Sequence, residues 1–158
     1  MVEIILPHDI QERIHGVLLG AGSCEVGGII MGKHVGLNRF CIVDISIQKK
    51  IGVFASFVRG VSEAILELKR FFKKTRREYR RFNYLGEWHS HPSFSTKPSA
   101  KDLDTMFELV EDSKVGANFA VLLIVRLAEN TEIECSTSVF WPDGTFEPAK
   151  LILKEKIS

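Results

Sequence analysis

The chain has 158 residues, of which 45% are hydrophobic and 26% charged, a balance typical of one globular domain spanning residues 1–158. Because 21 Lys and Arg nearly balance 20 Asp and Glu, the formal net charge is +1, which excludes a protein drawn to DNA or to an acidic membrane by its overall charge. The three cysteines are widely spaced and are typical of reduced thiols. With neither a signal-peptide pattern nor a membrane-length apolar run, we expect a cytoplasmic protein without a membrane partner.

The first part of the chain predicts one helix and two strands. Apolar residues at helical spacing predict a helix over residues 9–20, which ends where two glycines follow. The apolar, glycine-rich stretch 26–35 predicts a strand that lies close to its neighbours, and the alternating stretch 39–47 predicts another strand. Residues 49–60 are predicted to form a loop with a short strand at 53–57.

A long helix is predicted over residues 62–82, with Ser62 as its N-cap. One buried face is predicted for it, formed by Ile65, Leu68, Phe72 and Tyr79. The same segment holds eight of the 21 basic residues, namely Lys69, Arg70, Lys73, Lys74, Arg76, Arg77, Arg80 and Arg81. Three interpretations of this basic segment stay open: a solvated helix face, a nucleic-acid surface, and a docking patch for an acidic protein. We favour the solvated face, and therefore expect no nucleic-acid partner.

The remainder of the chain continues the alternation of strands and helices. Strands are predicted over residues 84–91, 119–127 and 133–141, and a helix over 99–112. The run 119–127 is continuously apolar, which is typical of a central strand buried on both faces. The tail from residue 148 fits either a helix or a strand. This order of elements predicts an α/β fold built around one sheet.

Two histidines stand out because His89 and His91 are two residues apart on a predicted strand. Alternate strand residues point to the same side, so both imidazoles would face one way, as zinc ligands require. Asp102 lies in the first turn of the following helix and can bring a carboxylate to the same place. Two imidazoles and one carboxylate leave a tetrahedral position open, which is typical of catalytic rather than structural zinc.

Each of these residues also has a simpler interpretation. Ser99 and Asp102 can form a helix capping pair, and Asp102 can serve both roles because a helix N-terminus favours negative charge. Glu25, taken alone, is typical of a solvated strand end. Trp88 would face away from the histidines and pack in the core, and Cys24 is interpreted as a small thiol without a catalytic part. The sequence lacks the Pro-Cys-x-x-Cys signature of nucleobase deaminases and the His-Glu-x-x-His signature of zinc proteases.

One ordered set of residues resembles the JAMM motif of the JAB/MPN metallopeptidases: Glu25, His89-Ser90-His91-Pro92, Ser99 and Asp102. The resemblance implies a cytidine-deaminase-like, three-layer α/β/α fold with a mixed central sheet. It implies that His89, His91 and Asp102 bind Zn²⁺. It further implies that Glu25 is the catalytic base and then acid, and that Ser99 donates a hydrogen bond to the oxyanion. No motif position is missing, which favours an active enzyme over a scaffold.

The same resemblance implies a deubiquitinase-like activity, hydrolysis of a peptide or isopeptide bond after the C-terminus of a ubiquitin-like protein. The compact chain is most similar to stand-alone prokaryotic JAB proteins, which are encoded beside ubiquitin-like conjugation modules, including the antiphage CBASS operons. This implies deconjugation in antiviral defence, with a ubiquitin-like protein or its conjugate as partner, such as one with a CD-NTase or a conjugating enzyme. Residues 49–60 are then a candidate wall of the groove for the substrate's tail.

Two alternative functions stay open at this point. The chain could instead process the C-terminus of a sulfur-carrier protein or another ubiquitin-like precursor. It could also be a non-catalytic docking module that uses the basic residues 69–81 to hold nucleic acid or protein.

Overall fold

A computed structural model describes residues 1–48 and 57–156 of the chain. The elements in these ranges are, in chain order, β1 (Glu3–Leu6), α1 (His8–Ala21), β2 (Gly27–Gly36), β3 (Arg39–Ile45), α2 (Phe57–Lys74), β4 (Phe82–Ser90), α3 (Ala100–Glu111), β5 (Ala120–Leu127), β6 (Ile133–Phe140), β7 (Phe146–Pro148) and β8 (Lys150–Leu153). Most of the loop predicted at 49–60, and nearly all of the short strand at 53–57, lie outside the described residues. Among the helices of the described part, none is long and apolar enough to cross a membrane.

The strands form one mixed sheet in the order β7-β6-β5-β4-β2-β3-β1-β8. Parallel pairs join β4 to β5 and join β1 to both β3 and β8, and the remaining neighbours are antiparallel. Only Ala149 separates β7 from β8, although these strands lie at opposite ends of the order. The Ala149 amide donates to the Thr137 carbonyl of β6 (3.0 Å), and the next amide, Lys150, donates to the Val2 carbonyl beside β1 (2.9 Å). The chain therefore passes from one end of the strand order to the other at Ala149. The sheet therefore bends round until its two ends meet.

Helices cover both faces of the sheet, which confirms the predicted three-layer α/β/α arrangement. On one face, α1 packs through its buried side chains Ile10, Ile14 and Leu18. On the other face, α2 packs through Phe71, and α3 through Met106, Leu109 and Val110. Residues of β5 alternate between the two cores and are buried on both sides, as their continuous apolar run predicts.

The long helix differs from its prediction over residues 62–82, because α2 begins at Phe57 and ends at Lys74. The end is a Schellman motif, in which the Arg77 amide bonds the Phe72 carbonyl at 2.8 Å and the Arg76 amide bonds the Lys73 carbonyl at 3.2 Å. Arg76 takes the left-handed position with φ 55°. Glycine is the usual residue there, so the sequence carries no ordinary stop signal.

The buried face predicted for this helix is also partly wrong. Ile65 is 44% exposed, and Tyr79 lies beyond the helix end and is 52% exposed. Phe71 is the buried residue instead, at 5%, with Leu68 and Phe72 packed against it. Among the described side chains of α2, residues 65–74, the apolar contacts with the sheet come from Leu68, Phe71 and Phe72.

The ends of the chain form strands that the sequence left open or missed. The tail becomes β7 and β8, so the strand alternative is correct. β1 was not predicted, because a four-residue strand has too short a pattern to recognise. Its partners β3 and β8 come from distant parts of the chain.

Close backbone packing surrounds β2 and β4, as the glycine-rich pattern predicts for β2: Gly28 of β2 lies against Ser46, just after β3, and Gly86 of β4 lies against Val121 of β5. A Cβ at Gly28 would lie 2.2 Å from the Ser46 carbonyl oxygen. Gly86 has φ 153°, and a Cβ there would lie 1.9 Å from the Val121 oxygen. Trp88 is fully buried on the α1 side, where its indole N–H donates to Ser46, which confirms its predicted core role.

Candidate metal centre

The end of β4 and the residue after it present two imidazoles, His89 and His91, to the face that α3 covers. β4 lies between β2 and β5, and the His91 amide extends this pairing with a 2.9 Å bond to the Val125 carbonyl. Because Trp88 points into the α1 core, His89 and His91 project to the opposite side. Both are buried, with 3% and 2% exposed. The strand therefore fixes their common direction, as the sequence predicts.

Asp102 joins this pair from the first turn of α3. Ser99 is the N-cap of the helix, and the two residues form a capping box in which the Ser99 hydroxyl accepts from the Asp102 amide and the Asp102 carboxylate accepts from the Ser99 amide. The carboxylate oxygens lie 3.2 Å from His89 Nε2 and 3.3 Å from His91 Nε2. The capping interpretation and the ligand interpretation of Asp102 therefore both hold geometrically.

The three side chains form a compact donor set. Nε2 of His89 and Nε2 of His91 are 3.0 Å apart, and one potential ligand atom from each of the three residues lies within 4.8 Å of the others. In a tetrahedral zinc site with bonds of about 2.0–2.1 Å, ligand atoms are separated by roughly 3.3–3.4 Å. The observed spacings of 3.0, 3.2 and 3.3 Å are within 0.4 Å of this range, so a small outward movement of the side chains makes the nitrogen–nitrogen–oxygen set fit a zinc ion.

The loop after β4 sets the tautomer of one imidazole. Nδ1 of His91 lies 2.7 Å from the carbonyl oxygen of Ser95, so Nδ1 carries the hydrogen and donates it. The Nε2 lone pair of His91 then points toward the donor set. The Phe94 ring lies against the same imidazole, with 4.2 Å between ring centres. The Ser136 hydroxyl bonds the Thr96 carbonyl and anchors the loop to β6.

Charge in the site favours an anionic Asp102. Burial alone would raise the pKa of this carboxyl, but the hydrogen bond and charge of His89, with further hydrogen bonding to Ser99, outweigh it. The pKa of Asp102 therefore lies well below its usual range, and the residue is a carboxylate at neutral pH. An anionic oxygen is the form that binds a cation.

Glu87 is a second buried carboxyl, two residues before His89 and on the same side of β4. Burial raises the pKa of Glu87 to about 7. The phenol of Tyr84 is buried beside this region, and burial first, then the charge of Glu87, raise its pKa well above 10. Sequence reasoning did not single out either residue, because their burial depends on α2 and α3 folding over the strand.

Glu25 precedes β2, next to the end of β4. The Val26 amide bonds the Ser90 hydroxyl at 2.9 Å, and the Ser90 amide bonds the Val26 carbonyl at 2.8 Å. The antiparallel register of β2 and β4 pairs Gly27 with His89. If this register continues two residues beyond that pair, Glu25 lies opposite His91. Directly opposed residues of an antiparallel pair project to the same face, so this register directs Glu25 toward the imidazole side.

The structure brings His89, His91 and Asp102 into contact, and it sets Ser99 at the adjoining helix cap and Glu25 two residues before the neighbouring strand β2. Two contributors lie outside the sequence prediction. The Ser90 hydroxyl ties the two strands together, and the Ser95 carbonyl orients His91. Every residue has a backbone carbonyl, so no sequence pattern could have identified the contact between Ser95 and His91.

Comparison with known proteins gives one family match and several similar folds. Residues 7–141 match the family described as prokaryotic homologues of the JAB domain. A solved protein from Desulfitobacterium hafniense has a TM-score of 0.72 and 22% identity, over 98% of this chain and 94% of that chain. A protein from Salinibacter ruber has a TM-score of 0.53 and 15% identity, over 95% and 91%.

A JAB1/MPN domain protein from Archaeoglobus fulgidus has a TM-score of 0.48 and 16% identity, over 96% of this chain and 99% of that chain. The comparison with curated proteins found no match. The proteins from Desulfitobacterium hafniense and Salinibacter ruber support the fold alone, because both are less than 25% identical to this chain. The family match supports the chain's membership.

Proposed function

The chain belongs to the family of prokaryotic homologues of the JAB domain, and on that premise we propose that it is a zinc-dependent peptidase or isopeptidase that cleaves after the C-terminus of a ubiquitin-like protein. The observation that most directly supports this proposal is the contact of two imidazole nitrogens with the Asp102 carboxylate. Hydrogen bonds orient His91 and Asp102 from their other side, as is typical of metal ligands. This arrangement supports a metal-dependent hydrolase.

In this proposal, His89, His91 and Asp102 hold the ion. When bound, Zn²⁺ would supply a Lewis acid and lower the pKa of its water to about 7, far below that of bulk water. The protein supplies the rest: two buried imidazoles, a fixed tautomer at His91 and an anionic carboxylate at Asp102.

Glu25 moves the proton. An amide nitrogen is a poor leaving group until it is protonated, so the reaction needs a group that takes a proton from the attacking water and returns it to nitrogen. Glu25 is half-buried and makes no ion pair with any residue of the described ranges, so no cation there neutralises its carboxylate. Its register position opposite His91 supports this role.

Ser99 stabilises the oxyanion. Its hydroxyl oxygen accepts from the Asp102 amide at 3.2 Å, which uses one lone pair and leaves the O–H hydrogen to donate. The backbone of the cap holds the hydroxyl next to Asp102, so the donor does not need to reorganise during the reaction. Removal of such a donor costs about 3 kcal/mol in other hydrolases.

The physiological role that we propose is deconjugation of a ubiquitin-like protein from its target in a bacterial CBASS-type defence system. The compactness of the chain supports a stand-alone enzyme of this kind, because only residues 112–119 connect the end of α3 at Glu111 to β5 at Ala120. Trimming of a ubiquitin-like precursor uses the same chemistry, and the substrate arms of the experiment below distinguish the two roles.

The test combines metal analysis with two substrates. One is a linear fusion of a ubiquitin-like domain to a fluorescent protein, and the other is the same domain joined to a lysine side chain. We expect one zinc ion per chain and chelator-sensitive cleavage that zinc restores, with the isopeptide cleaved faster. Faster cleavage of the linear fusion would favour precursor processing.

The matched variants are Asp102→Asn and the exposed Asp104→Asn, which lies two residues further along the same helix. Only Asp102→Asn should lose zinc and activity. Preparations without zinc that cleave neither substrate after zinc is added would overturn the proposal.

A further inference from the structure

A second feature lies at the opposite end of β4 from the metal centre. A cleft of about 400 Å³ opens between the end of α2 and the start of β4, with Phe71 and Phe82 among its lining residues. Lys74, Arg76 and Arg81 also line it, and we call it the basic cleft. Phe82 and Ser90 are the two ends of a nine-residue strand, so the cleft is roughly 25 Å from the histidines.

The charge of the chain is concentrated around this cleft. Residues 69–81 contain eight basic residues and one acid, a net charge of +7 in a chain whose total is +1, so the rest of the chain carries −6. Within the described part of the chain, the one ion pair formed by these eight side chains joins Arg70 to Glu67, at 2.9 Å. Most of this positive charge therefore has no counter-charge in an ion pair with the residues that the structure describes.

The acids in the lining do not cancel that charge. Asp44 is paired with Arg13 on α1, at 2.7 Å between Nη1 and Oδ1. Glu78 is then the one lining acid left to oppose Lys74, Arg76 and Arg81. The basic cleft keeps a net positive charge and attracts anions.

Backbone conformation holds Arg76 at the cleft, with Arg77 next to it in the same turn. Arg76 and Arg77 both have left-handed φ angles, 55° and 60°, which side chains with a Cβ rarely adopt. The two Schellman bonds keep the chain in this turn. A costly backbone conformation in a basic cleft points to a function for the turn.

Two exposed aliphatic side chains lie earlier on the same helix, outside the lining of the cleft. Ile65 is 44% exposed and Leu66 is 50% exposed, one turn before Lys69 and Arg70 on the helix. A phosphate backbone gains nothing from aliphatic contacts, whereas a polypeptide with acidic and apolar residues is complementary to both parts. Aliphatic and basic groups together favour a peptide over a nucleic acid.

We propose that the basic cleft and the adjoining surface of α2 dock an acidic segment of a partner protein, with an apolar residue of that segment against Leu66 or in the cleft. The site is remote from the metal centre. It does not depend on the proposed peptidase activity.

The experiment measures anisotropy of a fluorescein-labelled peptide of Asp and Glu around one Leu-Phe pair, against the intact protein. The test variant is Arg76→Glu with Arg81→Glu, and the matched control is Lys114→Glu, an exposed charge reversal beyond α3. We expect at least about a tenfold loss of affinity in the test variant and less than about twofold in the control. Arg76→Gly removes one positive charge and should weaken peptide binding less than the double variant does. Because glycine adopts the left-handed conformation without strain, this loss of affinity cannot come from unfolding.

A single-stranded oligonucleotide and the Leu66→Ser variant separate the partner classes. We expect Leu66→Ser to weaken peptide binding and the oligonucleotide to bind more weakly than the peptide. Tighter oligonucleotide binding with a steep salt dependence would overturn the proposal in favour of nucleic acid. Absence of peptide binding, or equal affinities for the test and control variants, would also overturn it. Zinc content and cleavage should be unchanged in every variant of this set.

Discussion

The backbone amide of Ser99 and the carboxylate of Asp102 are joined by a 2.7 Å hydrogen bond, so the residue that completes the donor set also completes the cap of α3. The helix N-terminus favours the negative charge, and the cap fixes the carboxylate orientation before any ion binds. The helix cap and the proposed metal binding therefore share one side chain.

Asp102→Asn should separate these two roles. The amide oxygen of Asn can still accept from the Ser99 amide, so the metal-free variant should lose only about 0.5–1 kcal/mol of unfolding free energy, through the missing charge at the helix end. Zinc affinity should fall by at least about a hundredfold, because an amide oxygen is a weak zinc ligand. Urea melts in chelator and competitive zinc titrations measure the two effects. Unchanged zinc affinity would contradict the assignment of Asp102 as a ligand.

Much of the site was predictable because its residues are close in sequence and their spacing has a direct geometric meaning. His89 and His91 share a side of β4 through the two-residue strand period, and Asp102 belongs to a recognisable cap. The end of α2 was not predictable, since Arg76 occupies a position that glycine usually takes. Burial of Glu87 depends on tertiary packing, which no local pattern reports.

Glu25→Gln should keep the metal and lose turnover. Gln has nearly the same shape but cannot take up a proton at neutral pH, so the hydrolysis rate should fall by about 10²–10⁴-fold. Zinc content measured by atomic absorption and the melting temperature should match those of the unchanged protein. Glu12→Gln, an exposed change on α1, is the control. A Glu25→Gln protein that cleaves at the normal rate would show that another group moves the proton.

Ser99→Ala should affect both stability and catalysis. Loss of the N-cap hydroxyl should cost about 1 kcal/mol of unfolding free energy. If Ser99 also donates to the oxyanion, kcat should fall by about 10²–10³-fold with little change in KM. Ser99→Thr keeps the hydroxyl and should recover most of both losses. A Ser99→Ala enzyme with reduced stability and unchanged kcat would leave the residue with its capping role alone.

Glu87 makes the stability of the metal-free protein depend on pH. Burial raises the pKa of this carboxyl from an ordinary 4.5 to about 7 in the folded chain. Between these values the folded state keeps a proton that the unfolded state has released. The stabilising contribution is therefore complete below pH 4.5, and it is lost as the pH rises toward 7. The loss amounts to about 3 kcal/mol.

Glu87→Gln has no ionisable group at this position and should not show that loss. The quantity to follow is the unfolding free energy of the variant minus that of the unchanged protein. This difference should rise by about 3 kcal/mol from pH 4.5 to pH 8, whatever its value at pH 4.5. Urea melts of both proteins in chelator, at pH 4.5, 6 and 8, measure the change without the charge of a bound ion. Glu108→Gln, an exposed change on α3, should give a nearly constant difference. A Glu87→Gln curve parallel to that of the unchanged protein would mean that the pKa of Glu87 is ordinary in the fold.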